Sequence, residues 1–127
     1  MEAALVLPLL IVILFGIIEF SIVLYDQAMV TRWAREGARY GTMWAPTTYR
    51  YTDTQIVSYI TTGLGNQLIS FSNSDQPVVI ANRCVNPDDI LTVTVTYPYS
   101  FLLLPNFVDQ LTGKITLRSV ARMNCEH

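Results

Sequence analysis

The chain has 127 residues, of which 51% are hydrophobic, and its formal net charge is −2. An acidic balance gives no electrostatic support to a nucleic-acid-binding role, so we expect no nucleic acid among the partners. The sequence has two cysteines and one histidine, the terminal His127, which argues against a zinc site. It also lacks a Ser/His/acid set and a phosphate-binding glycine loop. We therefore expect no enzymatic activity, no metal and no cofactor.

The first predicted element is an apolar helix. Between positions 3 and 25 the apolar residues are interrupted only by Pro8, Gly16, Glu19 and Ser21. At about 1.5 Å per residue this stretch is roughly 34 Å long, close to the roughly 30 Å of hydrocarbon in a bilayer. It has no polar face, so it must lie in lipid or in a bundle of similar helices. A cleavable signal peptide fits less well, because the run is longer than an h-region and no basic residues precede it.

The same helix is predicted to continue to about Met43, with Pro46 after it. This second half is amphipathic. Its aromatic and apolar face carries Tyr25, Met29, Trp33, Tyr40 and Trp44, and the neighbouring face carries Arg32, Arg35, Glu36 and Arg39. We interpret a set of aromatic residues as packing between helix and sheet: Trp33, Tyr40, Trp44, Tyr49 and Tyr51. The arginines form a solvated face with acidic partners such as Glu36 or Asp26, or else contact anionic lipid or DNA.

After the helix, residues 46–127 are predicted to form a small head domain, so that the chain divides into segments 1–45 and 46–127. Asp53 or Thr54 is the expected N-cap of a short helix that runs from Gln55 to about Gly63. Its inward residues are expected to be Ile56, Val57, Ile60 and Leu64.

Three strands are predicted at positions 77–84, 90–99 and 114–124, with a further short one around Ile69–Phe71. The second alternates threonines at 92, 94 and 96 with apolar residues at 91, 93, 95 and 97, which is typical of a strand with one buried face. Residues Asn86–Asp89 are expected to form a tight turn. The fold class is therefore α+β, with a long helix, a short helix and a roughly three-stranded, mostly antiparallel sheet.

The two cysteines, Cys84 and Cys125, are separated by 41 residues. In a small domain this spacing favours one disulfide, which would place the head in an oxidising compartment outside the cytoplasm. Two reduced core thiols are the alternative.

Several of these segments together resemble one family. The runs ALVLPLL from Ala4, FGIIEF from Phe15 and AREGARYG from Ala34 are similar to the N-terminal region of TadE-like pilins of tight-adherence (Tad) pili, a branch of the type IV pilins. The run VTVTYPY from Val93 is similar to a strand-and-loop signature of that family. Ordinary membrane anchors have no reason to carry the AREGARYG run, which makes the first 41 residues the more specific part.

The resemblance implies a structural pilin subunit that starts in the inner membrane and is then assembled, with its machinery and other pilins, into an extracellular helical filament. Type IV pilins lose a basic leader and carry a glutamate at the fifth mature position. Glu2 matches that glutamate by its place ahead of the apolar run, although it stands second and Ala3 follows it where an aromatic is usual. The expected assembly residues are Glu2, Pro8, Gly16, Glu19, Arg32 and Arg35.

Two further alternatives stay open at this point. A minor or accessory pilin, or another single-pass protein with an exported domain, would share the same helix without polymerising. The basic residues that follow the apolar run at positions 3–25 would by themselves place the head in the cytoplasm. The expected disulfide and the resemblance indicate the opposite orientation, and a removed basic leader would reconcile the two.

Overall fold

The computed structural model describes residues 1–43, 51–69, 76–86, 88–99 and 115–125. Helix α1 runs over Glu2–Thr42 and helix α2 over Asp53–Gly65, followed by strands β1 (Val78–Asn82), β2 (Ile90–Tyr99) and β3 (Ile115–Asn124). The strands form one antiparallel sheet in the order β1-β2-β3. The predicted α+β class is confirmed. The helix stop at Pro46, the turn residue Pro87 and most of the short strand at 69–71 lie outside the described residues.

The sheet has the two faces that the alternation in β2 predicts. Leu91, Val93, Val95 and the two tyrosines Tyr97 and Tyr99 are buried, whereas the threonines between them are only half-buried. Strands β2 and β3 pair so that Val93 lies opposite Ala121 and Tyr97 lies opposite Leu117. The inner face therefore carries aliphatic and tyrosine side chains from β2 and small or aliphatic ones from β3.

The second half of α1 covers this inner face. Its buried positions recur at helical spacing and are mostly small: Val30, Ala34, Gly37, Ala38, Gly41 and Thr42. A Cβ at Gly37 would collide with Ile60, and one at Gly41 would lie 2.7 Å from Leu91 and 2.8 Å from Ile56. These two glycines let α2 and the sheet approach the α1 backbone closely. Residues 30–42 of α1 thus belong to the same core as the strands, and the division of the chain at residue 45 stays a prediction. From here on, the head means this packed unit: the second half of α1, α2 and the three strands.

Helix α2 closes the core from the side. Ile56, Ile60 and Leu64 are completely buried at i, i+4 and i+8, which confirms three of the predicted inward residues. The predicted N-cap was wrong by one or two positions. Thr52 is the cap: its hydroxyl accepts from the Gln55 N–H at 3.3 Å, while the Gln55 side chain accepts from the Thr52 N–H at 2.9 Å. This reciprocal pair is a capping box, which starts the helix at Asp53.

A disulfide between Cys84 and Cys125, as predicted, joins the chain just after β1 to the chain just after β3, with the two Cα atoms 5.9 Å apart. Asp89 organises the connection between them. Its carboxylate accepts from the N–H groups of Val85 at 3.1 Å and Asn86 at 2.7 Å, and its carbonyl accepts from the Cys125 N–H at 3.0 Å. These bonds hold the two cysteine-bearing segments side by side. Because Gly41 lies against Leu91 and Glu19 against Tyr99, the disulfide lies at the end of the sheet farther from the start of α1.

Candidate assembly surface of the long helix

The first part of α1 lies outside the core. We call residues 2–18 the bare segment, because none of them is buried in the described part of the chain. Its large apolar side chains are exposed: Leu5, Val6, Leu7, Leu9, Leu10, Ile11, Val12, Ile13, Leu14, Phe15, Ile17 and Ile18. The helix is long and apolar enough to cross a membrane. The bare segment is about 25 Å long, and the outward-facing Phe20 and Leu24 extend the apolar surface by another turn or two.

Three of the predicted assembly residues lie on the bare segment. Glu2 is exposed in the first turn, where its carboxylate is compatible with the helix dipole. Pro8 lies inside the helix, which continues through it. Gly16 faces open space, since a Cβ there would meet nothing within 4 Å. None of the three contributes to the core of this chain, so each is available to a neighbour.

Glu19 is the first buried residue of α1, with 2% of its surface exposed. The hydroxyl of Tyr99 donates a hydrogen bond to its Oε1 at 3.0 Å. Burial, and the bond to Glu19, raise the pKa of Tyr99, so the phenol stays a protonated donor well above neutral pH. The structure therefore gives Glu19 a partner within its own chain, at the border between the bare segment and the head. Its role in contacts between subunits stays a prediction.

Two turns further on, Asp26 is completely buried. Its Oδ1 accepts a hydrogen bond from the backbone N–H of Ile69 at 2.9 Å, and its Oδ2 has no partner among the described residues. Sequence reasoning considered Asp26 only as a partner for the arginines. Its spacing of four and eight residues from Val30 and Ala34 was the signal that placed it on the buried face. The carboxylate fixes the chain that follows α2 against α1.

A groove of about 650 Å³ runs between α1 and β3. We call it the arginine groove; it is lined by Leu24, Gln27, Ala28, Thr31, Arg32, Arg35, Glu36, Arg39 and Met123. Gln27 closes one side by donating from Nε2 to the Arg118 carbonyl at 3.4 Å. All three lining arginines are exposed, and none forms an ion pair with another described residue. The acidic partners that the i,i+4 spacing suggested are therefore not engaged in the described part of the chain.

Trp33 and Tyr40 of α1 pack against α2 and the residues next to it, which corrects the predicted location between helix and sheet; Trp44 and Tyr49 lie outside the described residues. Tyr40 stacks between Tyr51 and Tyr59, with ring centroids 4.1 Å apart in both pairs. Trp33 meets Tyr59 edge to face at 5.8 Å and donates from Nε1 to the Gln67 side chain at 2.9 Å. A Cβ at Gly63 would collide with the Trp33 ring, which shows how closely the indole lies on α2. These rings hold the two helices together.

Residues 1–39 match the family model described as TadE-like protein. The N-terminal segment is TadE-like. The match spans the bare segment and most of the packed part of α1, which confirms the resemblance seen in the N-terminal runs; the run from Val93 lies outside the match. No curated protein and no solved structure matches the chain. The TadE-like segment and the apolar helix together indicate a membrane-anchored, surface-exposed protein related to Tad pili. The TadE-like family is generally structural.

The structure also explains the pattern of the TadE-like segment near its end. In the AREGARYG run the small residues Ala34, Gly37, Ala38 and Gly41 are buried against the strands and α2. The charged residues Arg35, Glu36 and Arg39 are exposed. The small residues of this run therefore serve packing within the subunit, and the charges between them are left for solvent or a partner.

Proposed function

We propose that this TadE-like protein is a structural pilin subunit. Its bare segment anchors it in the inner membrane and then packs with the bare segments of other subunits in the core of an extracellular filament. The observation that carries the proposal is the exposure of every large apolar side chain from Leu5 to Ile18 on a helix whose other half is a packed core element.

The energetics exclude water as the lasting environment of the bare segment. Burying one Leu or Ile side chain contributes about 1.5–3 kcal/mol, and a dozen large apolar side chains are exposed here. Before assembly, lipid supplies that burial. Within lipid no hydrophobic difference drives helices together, so close packing at small residues must favour contact between subunits. Gly16, with open space around its Cα, is the position on the bare segment best suited to such an approach.

Glu2 is expected to act in the same assembly step. A carboxylate that enters an apolar bundle is costly unless it meets a cation or takes up a proton. In a parallel bundle the candidate cations are the α-amine of a neighbour, or Arg32 or Arg35 of a subunit displaced along the axis by about 45–50 Å. Both arginines are exposed, which supports this pairing.

The disulfide supports one orientation of the head. Cys84 and Cys125 are bonded in the head, and such bonds persist in oxidising compartments. We therefore propose that the head faces away from the cytoplasm, although Arg32, Arg35 and Arg39 follow the span. The head then becomes the outer surface of the filament.

The decisive experiment locates the bare segment inside the filament. We expect sheared surface material to contain filaments by electron microscopy and this subunit by mass spectrometry. An added cysteine on the bare segment, Leu14→Cys, should form a disulfide between subunits on mild oxidation. Thr61→Cys, at an exposed position of α2, is the matched control and should form no such cross-link. Absence of the subunit from sheared filaments, with retention in the membrane, would favour the accessory, non-polymerising subunit instead.

Glu2→Gln tests the assembly charge separately. We expect filament yield to fall strongly while the melting temperature of the head is unchanged, because Glu2 is exposed and distant from the core. Normal filament yield from this variant would mean that the carboxylate is only solvated, without affecting the role of the apolar surface.

A further inference from the structure

The proposed function gives the arginine groove no partner before assembly, because the pairing of Arg32 or Arg35 with Glu2 arises only in the filament. Three arginines and one glutamate line it, giving a local excess of positive charge on a chain whose net charge is −2. We propose that the groove binds the head group of an anionic phospholipid while the subunit is anchored in the membrane. This inference rests on the proposed function for the orientation of α1 in the bilayer.

The position of the groove along α1 fits the head-group layer. The apolar outward surface of the helix ends with Leu24 and Tyr25. Arg32 follows about 10 Å further along the axis, on the side away from the membrane. Side chains on a helix lean toward its N-terminus, which is the membrane side here. Long arginine side chains can therefore extend down to the interface while their backbone stays above it. The guanidinium groups of Arg32 and Arg35 are the best placed for this.

The charges of the groove match a phosphodiester. The guanidinium group presents several N–H donors in a planar fork that suits two phosphate oxygens at once. Arg32, Arg35 and Arg39 are exposed and form no ion pair within the described residues, so binding an anion would break no existing pair there. The one acid that lines the groove is Glu36, which is exposed, whereas Asp26 is buried and accepts from the Ile69 N–H.

The lower end of the groove suits the rest of a lipid. Leu24 and Ala28 line it on the side toward the bare segment, and neither carries a polar group. A phospholipid has the same order along its length, with the glycerol ester and then the apolar acyl chains below the phosphate. The groove therefore matches a lipid in both polarity and direction. A free phosphate would use only the arginine end.

The test measures which lipid the full-length protein retains. The protein is reconstituted in bilayers of equimolar phosphatidylglycerol and phosphatidylcholine with identical acyl chains, then extracted mildly and examined by native mass spectrometry. A basic residue near an anionic surface is worth about fivefold in affinity, so we expect at least that enrichment of phosphatidylglycerol. The double variant Arg32→Gln/Arg35→Gln should lose it.

Arg83→Gln/Arg122→Gln is the matched control. It removes the same charge from two exposed arginines outside the groove and should keep the enrichment. Equal phosphatidylglycerol enrichment in the two double variants would overturn the proposal, because the position of the arginines would then make no difference to lipid binding. Reduced filament yield in Arg32→Gln/Arg35→Gln with lipid retention unchanged would show that the arginines contact a neighbouring subunit and not a lipid. That result would overturn the lipid site and leave the proposed filament function intact.

Discussion

The two halves of α1 are one continuous helix with opposite relations to the rest of the chain. Residues 2–18 expose their apolar side chains in every direction, whereas residues 30–42 bury alanine and glycine against the sheet and α2. The bare segment carries large aliphatic residues, as expected of a helix whose proposed partner is lipid or another chain. The packed half carries small ones because the α1 backbone must approach its own core closely. Size of the apolar residue, more than hydrophobicity, distinguishes the two surroundings.

The largest expected effect comes from removing the disulfide, which should destabilise the head but leave the bare segment unaffected. Replacing both cysteines, as Cys84→Ser/Cys125→Ser, removes a cross-link that closes a 41-residue separation. The chain-entropy relation gives a loss of about 4 kcal/mol in the free energy of unfolding of the head. Membrane insertion of the bare segment should be unchanged. Near-UV circular dichroism during denaturation, together with carbonate extraction of membranes, checks both parts, and equal stability with and without the disulfide would contradict the prediction.

A pair of identical substitutions compares the halves directly. Gly37→Ala should lower the free energy of unfolding by about 1–3 kcal/mol, because the new Cβ collides with the buried Ile60. Gly16→Ala should leave it unchanged or raise it by up to about 1 kcal/mol, because its Cβ meets open space and alanine favours the helix. Denaturation of the full chain in detergent measures both. Similar effects from the two variants would mean that residue 37 is not closely packed.

Tyr99→Phe tests the border between the halves. It removes the hydroxyl that donates to the buried Glu19 carboxylate at 3.0 Å. Loss of a donor to a buried acceptor costs about 1–3 kcal/mol, so the head should melt at a lower temperature. Glu2→Gln serves as the control at the bare end and should not change the melting temperature. An unchanged melting temperature for Tyr99→Phe would show that water or another group replaces the bond without cost.

The smallest effect is a pH dependence that follows from the same tyrosine. The pKa of Tyr99 is raised in the folded protein, so its contribution to stability is complete below the ordinary tyrosine pKa of about 10 and is lost as the pH rises through the folded value. The wild-type head should therefore lose more stability than Tyr99→Phe between neutral pH and strongly alkaline conditions. Melting curves at a series of pH values measure the difference. Parallel curves for the two proteins would rule it out.

The sequence was most informative where a pattern is compatible with only one local structure. The alternation in β2 predicted its limits and its buried face, because only one register buries Leu91, Val93 and Val95 together. The apolar run predicted the first half of α1, and the helical spacing that follows it predicted the second half; the helix ends one residue before the predicted Met43. Local chemistry was less decisive at α2, where Thr52, Asp53 and Thr54 all favour an N-cap. The reciprocal bond with Gln55 selected Thr52.

The candidate site was harder to predict, because it depends on which strand reaches which turn of α1. No local pattern pairs Glu19 with Tyr99, which are 80 residues apart. Asp26 was missed as a buried group because an acid on an amphipathic helix is usually solvated. The lack of an ion pair between Arg32 and Glu36 also depends on rotamers that sequence spacing does not fix.

The position of residues 30–42 inside the head has a mechanical consequence. In a filament held together by bare segments, a pulling force applied to the head would pass directly into α1, which is one continuous helix over Glu2–Thr42. Helix α1 can separate from the sheet and α2 only by exposing Val30, Ala34 and Ala38, all fully buried. The bonds from Tyr99 to Glu19 and from Ile69 to Asp26 resist the same movement at the end nearer the bare segment. Such a subunit would transmit tension as a stiff element and extend little before it unfolds.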